Sequence, residues 1–302
     1  MSITLIKPGW ACSVQDLGRW GYQEFGIPLS GAMDVNAAMM ANRICGNEDG
    51  EALLECTLHG TEIQLNETAV FSFTGGGAIA TVNGQPVTFN KQIKAVGGST
   101  IKLHPSPFGC RTYIAFAGGL KVNRELGSCS TYIAAGIGGC NGRNLESGDL
   151  IELKKIAPKQ KTENITFSAA GFGSSNWKAI APELPHVNDL VRIKSYEGPE
   201  WNLFDEASKH ALFNTPFTIG QHANRMGFQL EGARLTKKEN KEMISSAVTK
   251  GIVQVTHQGT PIILMADAQT IGGYPRIGRI FNDDIHLLAQ CRPGMKIQLI
   301  PI

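Results

Sequence analysis

An apolar run, Pro261-Ile-Ile-Leu-Met265, breaks off into Ala266-Asp267-Ala268-Gln269-Thr270-Ile271-Gly272-Gly273-Tyr274-Pro275, so that a carboxylate, an amide and a hydroxyl leave one strand-like segment together. Short polar side chains at the end of a rigid element suit the binding of a small polar molecule. Gly272-Gly273 allows positive φ or a close approach of the backbone, and Tyr274-Pro275 stiffens the far side. The same pattern also describes a tight turn in which Asp267 bonds neighbouring amides, and spacing alone does not separate the two. A second polar group, Gln15, Asp16 and Arg19, surrounds Gly18. An acid and a base at this separation either pair with each other or clamp a ligand. Cys129 sits between hydroxyls in Gly127-Ser-Cys-Ser-Thr131, but no histidine lies near it in sequence, which favours a structural loop over a nucleophile.

Several chemistries are excluded by what the chain lacks. It contains no H-E-x-x-H, no Walker A loop, no dinucleotide fingerprint and no G-x-S-x-G, and its seven histidines are dispersed, so no metal site is expected. Gly75-Gly-Gly77 lacks the Lys-Ser/Thr of a phosphate loop and reads as a bend between strands. A formal net charge of +2 argues against nucleic acid or a membrane surface as partner, and the basic run Lys159-Gln-Lys161 reads as a solvated linker. No apolar stretch approaches the roughly 18 residues of a membrane span. The seven cysteines are odd in number and never spaced C-x-x-C, so reduced thiols and a cytoplasmic location are expected.

These residues need elements to hold them. With 302 residues, 35 of them glycine, and only 18% charged, the chain reads as all-β with a few short helices, in two domains: 1–158, a linker 159–186 of lysine, serine, glycine and proline, and 187–302. Strands are expected at 53–58, 69–74, 78–82, 86–89, 100–103, 112–117, 150–153, 190–195, 216–219, 252–255, 262–265 and 296–300, with Asn83-Gly84 as a hairpin turn. Asp34 caps a helix over 35–45, where Ala37, Ala41 and Ile44 share a face; further helices are expected at 201–213 and 284–289. Segments 109–119 and 259–273 both run from glycine through an apolar strand to a double glycine, a faint echo between the halves.

Ser13-Val-Gln-Asp-Leu-Gly-Arg19, Ser30-Gly-Ala-Met-Asp34, Ala41-Asn-Arg-Ile-Cys-Gly-Asn47, Leu54-Glu55, Gly127-Ser-Cys-Ser-Thr131, Asn224-Arg-Met-Gly227, Gly251-Ile-Val-Gln-Val255 and Asp267 to Pro275 together resemble the family of the 5-oxoprolinase C subunit, also called allophanate hydrolase subunit 2 or the biotin-dependent carboxyltransferase family. The resemblance runs in order over nearly the whole chain, with Ile271 where many relatives carry a threonine. It implies tandem cyclophilin-like β-barrels and a bacterial heteromeric enzyme converting 5-oxoproline to glutamate. In that enzyme the A component uses ATP, the B and C components together build a site, and this chain binds no cofactor of its own. It equally implies the alternatives of a carboxyltransferase, of an allophanate- or urea-type component, and of a regulator that antagonises a kinase inhibitor. The site then expected brings together Gln15, Asp16 and Arg19, the Asn224-Arg225 turn, and Gln254 with Asp267 to Tyr274. Arg19 or Arg225 would hold a carboxylate. Gln254, Gln269 and Thr270 would pair with a lactam, Asn224 and Tyr274 would flank it, and Asp267, with Asp16 as second candidate, would move the proton that ring opening requires.

Overall fold

The computed structural model describes residues 1–156, 164–239 and 243–302. The chain forms two compact units: Met1–Arg19 with Asp34–Leu184, and Trp20–Met33 with Pro185–Ile302.

The first unit contains β1 (Ser2–Pro8), β2 (Ala11–Gln15), helix α1 (Val35–Ile44), β3 (Leu53–Thr57), β4 (Thr61–Leu65), β5 (Ala69–Gly75), β6 (Ala78–Val82), β7 (Gln85–Pro86), β8 (Gln92–Ala95), β9 (Thr100–Pro105), β10 (Arg111–Phe116), β11 (Leu150–Glu152) and β12 (Phe172–Ser174). They make two six-stranded sheets, ordered β11-β1-β4-β9-β6-β7 and β12-β8-β5-β10-β3-β2. Alternation decides how these sheets pack. Ile3, Leu5, Ile63 and Ile101 of the first share one buried cluster with Val14, Leu54, Phe71, Phe73, Ile114 and Phe116 of the second. The opposite face of β5 presents Ser72 and Thr74, whose hydroxyls donate to the carbonyls of Ala41 (2.8 Å) and Ala37 (2.6 Å), so α1 lies against that face through polar contacts. The Asp34 side chain accepts from the Ala37 amide at 3.0 Å, the expected cap. Asn83 and Gly84, both at positive φ, join β6 to β7 as the expected two-residue hairpin.

The second unit contains β13 (Leu190–Glu197), α2 (Glu206–Asn214), β14 (Phe217–Ile219), β15 (Gly227–Glu231), β16 (Ser246–Ala247), β17 (Ile252–Val255), β18 (Pro261–Leu264), β19 (Ile271–Gly272), β20 (Arg276–Ile280), α3 (Ile285–Ala289) and β21 (Lys296–Pro301). Seven strands close a barrel in the order β13-β20-β17-β18-β15-β14-β21, while β16 and β19 pair separately. Phe217, Ile219, Phe228, Val253, Ile263, Ile277 and Ile297 fill the barrel, and Met33 from the N-terminal segment joins them.

The fold is mostly β with three short α-helices among the described residues. Three details depart from the sequence reading. Residues 201–213 are not one helix: Trp201–Leu203 is a 3₁₀ turn, and α2 begins only after Asp205, whose carboxylate caps Ser208 at 2.7 Å. The stretch read as a linker contributes β12, which pairs with β8, so the division between units falls at Leu184/Pro185. Its first residues, with the basic run at Lys159–Lys161, lie outside the described residues. The echo between halves holds for the strands, β10 and β18, but Gly118 and Gly119 adopt positive φ and Gly272 and Gly273 do not.

Candidate functional site

The Gln15-Asp16-Arg19 turn follows directly from β2 in the first unit. Asp16 and Arg19 each take partners in the loop at 125–131. Asp16 is buried and accepts from the amides of Gly18 (2.8 Å) and Cys129 (2.6 Å) and from the hydroxyls of Ser128 (2.7 Å) and Ser130 (2.5 Å). Arg19, fully buried, donates from Nε to the Glu125 carbonyl and from Nη2 to the Ser130 carbonyl at 2.7 Å. Both side chains therefore staple residues 125–131 to the end of β2. Gln15 donates to Ser13 Oγ and to the Thr131 carbonyl, while its buried Oε1 accepts from nothing among the described residues. Cys129 belongs to this staple: burial, reinforced by the Asp16 charge, pushes its thiol above the usual range, which fits a structural role.

The remaining candidates all lie in the second unit. Arg225 and Asp267 form a two-pronged ion pair, Nε to Oδ2 at 2.8 Å and Nη2 to Oδ1 at 3.0 Å, with Arg225 Nη2 also donating to the Gly31 carbonyl at 2.6 Å. The Asp267 amide donates back to the Arg225 carbonyl, so the two segments are tied twice. Beyond this pair, Asn224, Gln254, Gln269 and Tyr274 line one cavity of about 220 Å³, with His222, Gln229, Met226, Ile262 and Leu264. Gln254 Oε1 accepts from Gln269 Nε2 at 3.3 Å, and Gln254 Nε2 donates to the Tyr274 carbonyl at 3.2 Å. Tyr274 packs edge-on against His257. A Cβ at position 272 would lie 2.6 Å from Gln254 Nε2, so the glycine there makes room for that amide rather than supplying positive φ. Thr270 is nearly buried, and its carbonyl accepts from the Val248 amide. No aspartate, glutamate, lysine or arginine appears in the cavity lining among the described residues. Clustered carboxamides each offer a donor and an acceptor, which matches a neutral amide or lactam edge to edge.

Two features escape the sequence reading. Glu55 sits in the apolar strand β3 and accepts from Tyr113 Oη at 2.8 Å, and Tyr113 Oη in turn accepts from the Asp34 amide at 2.8 Å. Burial, with Glu55 and Asp34 alongside, pushes the Tyr113 phenol well above its ordinary value, so it stays protonated and can donate. A signal for it exists: a glutamate inside Leu53-Leu54-Glu55-Cys56 breaks an apolar run. Lys250 reaches the Met33 carbonyl at 2.7 Å, a contact that spans 217 residues and leaves no local trace in sequence.

The sequence model of the family described as "Carboxyltransferase domain, subdomain A and B" matches residues 25–301. The chain belongs to that family. It is similar to the C subunit of 5-oxoprolinase from Escherichia coli, with 35% identity over 298 residues covering 99% of this chain and 90% of that one. It is also similar to urea amidolyase of Saccharomyces cerevisiae, 29% identical over the whole of this chain but only 17% of the yeast protein. The crystal structure of the K. lactis urea amidolyase superposes with a TM-score of 0.89 at 28% identity, covering 100% of this chain and 19% of that one. As a carboxyltransferase-family chain of this length, the protein corresponds to nearly all of the first relative and to a minor part of the two urea amidolyases.

Proposed function

We propose that this chain is the C subunit of a heteromeric 5-oxoprolinase, and that its second unit supplies substrate-binding groups. The observation that carries the reading is the carboxamide-lined cavity of Asn224, Gln254, Gln269 and Tyr274, together with near full-length similarity to a 5-oxoprolinase C subunit. Opening a lactam adds water across the C–N bond, hydroxyl to carbon and proton to nitrogen. Gln254 and Gln269 would hold the lactam N–H and C=O, with Thr270 fixing the turn that carries them. Arg225 would take the carboxylate, since a guanidinium matches it in charge and geometry. In the free chain that fork is held by Asp267; a substrate carboxylate that displaces Asp267 would both fix the substrate and release Asp267 to move the proton.

ATP use is assigned to the A component of the enzyme, with completion of the site left to the B component, because this sequence has no nucleotide loop. The chain would then be inactive alone. Reconstitution tests this: ATP-dependent release of glutamate should require all three components, and turnover by this chain with ATP alone would refute it. A second reading, recognition of urea or a linear amide, draws on the urea amidolyase similarity and on the absence of aspartate, glutamate, lysine and arginine from the cavity lining among the described residues. Urea competing with 5-oxoproline at equal or better affinity would favour it.

A further inference from the structure

Ser30 is the one residue of the Ser30–Met33 segment whose side chain can hydrogen-bond, and among the described residues that side chain has no partner. The segment is held from three directions: the Ser30 amide donates to the Ala266 carbonyl at 3.0 Å, Arg225 Nη2 donates to the Gly31 carbonyl, and Lys250 Nζ donates to the Met33 carbonyl. Ser30 is 3% exposed, and its hydroxyl makes no hydrogen bond among the described residues. A buried hydroxyl without a partner carries an uncompensated desolvation cost.

The backbone adds a second cost. Ser30 has φ of 55° and Gly31 of 81°, the φ pair of a type I′ turn, whose first central position favours asparagine or glycine. Serine is tolerated there only at a strain that glycine would not bear. A residue strained in the backbone, idle in the side chain and pinned beside the Arg225–Asp267 pair is poorly chosen for stability alone.

We propose that Ser30 is a substrate-positioning residue, its hydroxyl donating to an anionic or carbonyl oxygen of the small molecule taken at the Arg225–Asp267 pair. This rests on the reading that the pair handles a substrate carboxylate, and it extends that reading to a residue distant in sequence. The hydrogen bond would form when such a ligand binds.

The test uses the complex reconstituted with its A and B components, carrying wild-type, Ser30→Gly or Ser30→Ala chain. Turnover of 5-oxoproline and the melting-temperature shift caused by 5-oxoproline, 2-pyrrolidone, urea or acetate are both read. Both variants are expected to melt at or above wild type, since each removes the buried unpaired hydroxyl and glycine also relieves the backbone. Both should lose about 10- to 100-fold in kcat/KM, as expected for one hydrogen bond to a charged group. Both should also lose the thermal shift given by the carboxylate probes. Wild-type turnover and shifts in Ser30→Gly would overturn the assignment while leaving the 5-oxoprolinase reading intact. No turnover by the wild-type complex, with a probe shift that Ser30→Gly abolishes, would remove that reading and keep Ser30. If neither turnover nor any shift is seen with wild type, both fall.

Discussion

Asp16 and Asp267 are both buried aspartates at the end of a strand, one in each unit, and they are satisfied in opposite ways. Asp16 is enclosed by two amides and two hydroxyls of its own unit, none of them charged. Asp267 meets a cation, Arg225, that remains partly exposed, beside a cavity lined by neutral amides. A carboxylate surrounded by fixed dipoles has nothing to exchange and acts as structure. One paired with a partly exposed guanidinium can give that partner up to a ligand carboxylate. The comparison therefore favours chemistry in the second unit and architectural work for the Asp16 turn.

The largest effect expected from breaking this contrast is at Asp16. Asp16→Ala would leave the Ser128 and Ser130 hydroxyls and the Cys129 amide without their acceptor in a buried loop, a loss of about 3–5 kcal/mol by summing unsatisfied groups. Chemical denaturation of the isolated chain would register it. Retained stability with lost turnover in the complex would instead make Asp16 a reacting group and erase the distinction between the two aspartates.

Next is Asp267→Asn, which removes the charge but keeps the shape. Leaving Arg225 without its carboxylate should cost about 1–3 kcal/mol, less than for a fully buried pair because the arginine is partly exposed. Activity of the complex should fall much further than stability does, by about 100-fold or more, if Asp267 moves the proton. Matching losses in a denaturation curve and in kcat/KM would reduce Asp267 to a turn residue.

Gly272→Ala probes the cavity with a smaller change. The added methyl would displace Gln254 from its place between Gln269 and the Tyr274 carbonyl, at a stability cost of about 1 kcal/mol or less, since a flexible side-chain end can move aside. KM for 5-oxoproline should rise while kcat changes less, because lactam binding rather than proton transfer is disturbed. An unchanged KM would detach the carboxamide cavity from substrate binding.

Local chemistry is legible in the sequence and long-range pairing is not. Asp34 announces α1 because a cap and a helical stripe act within ten residues, and Asn83-Gly84 announces its hairpin for the same reason. β1 escapes because its apolar stretch is short, although Ile3 and Leu5 alternate into the core. β20 escapes because Gly278 interrupts its apolar pattern, and that glycine sits where Ser195 and Tyr196 of β13 pack closely against it. Of the site, Asn224, Gln254, Gln269 and Tyr274 are named from sequence and do share a cavity. The Arg225–Asp267 pairing is not foreseeable, since two residues 42 apart carry no mark of which partner each will take.

The smallest effect sharpens the second unit's side of the comparison through an ion pair at its margin. Arg276 binds Glu200 through Nε at 2.8 Å and Nη2 at 2.7 Å, and its Nη1 donates to the Ala247 carbonyl of β16, the strand paired with Ile271–Gly272. Burial alone would raise the Glu200 carboxyl, but the hydrogen bonds from the Arg276 side chain and amide outweigh it and hold the group below its ordinary value. A depressed folded-state value means that the pair's contribution is fully present above the unfolded carboxylate range, about pH 4.3, and is lost as pH falls through the lower folded value. Wild type and Glu200→Gln should therefore differ in melting temperature at neutral pH and converge in acid. The gap at neutral pH should be modest, since the pair is only partly buried. A gap that persisted or widened in acid, below the lowered folded value, would show that Glu200 acts by packing rather than by charge, because a carboxylate protonated in both states contributes nothing to linkage.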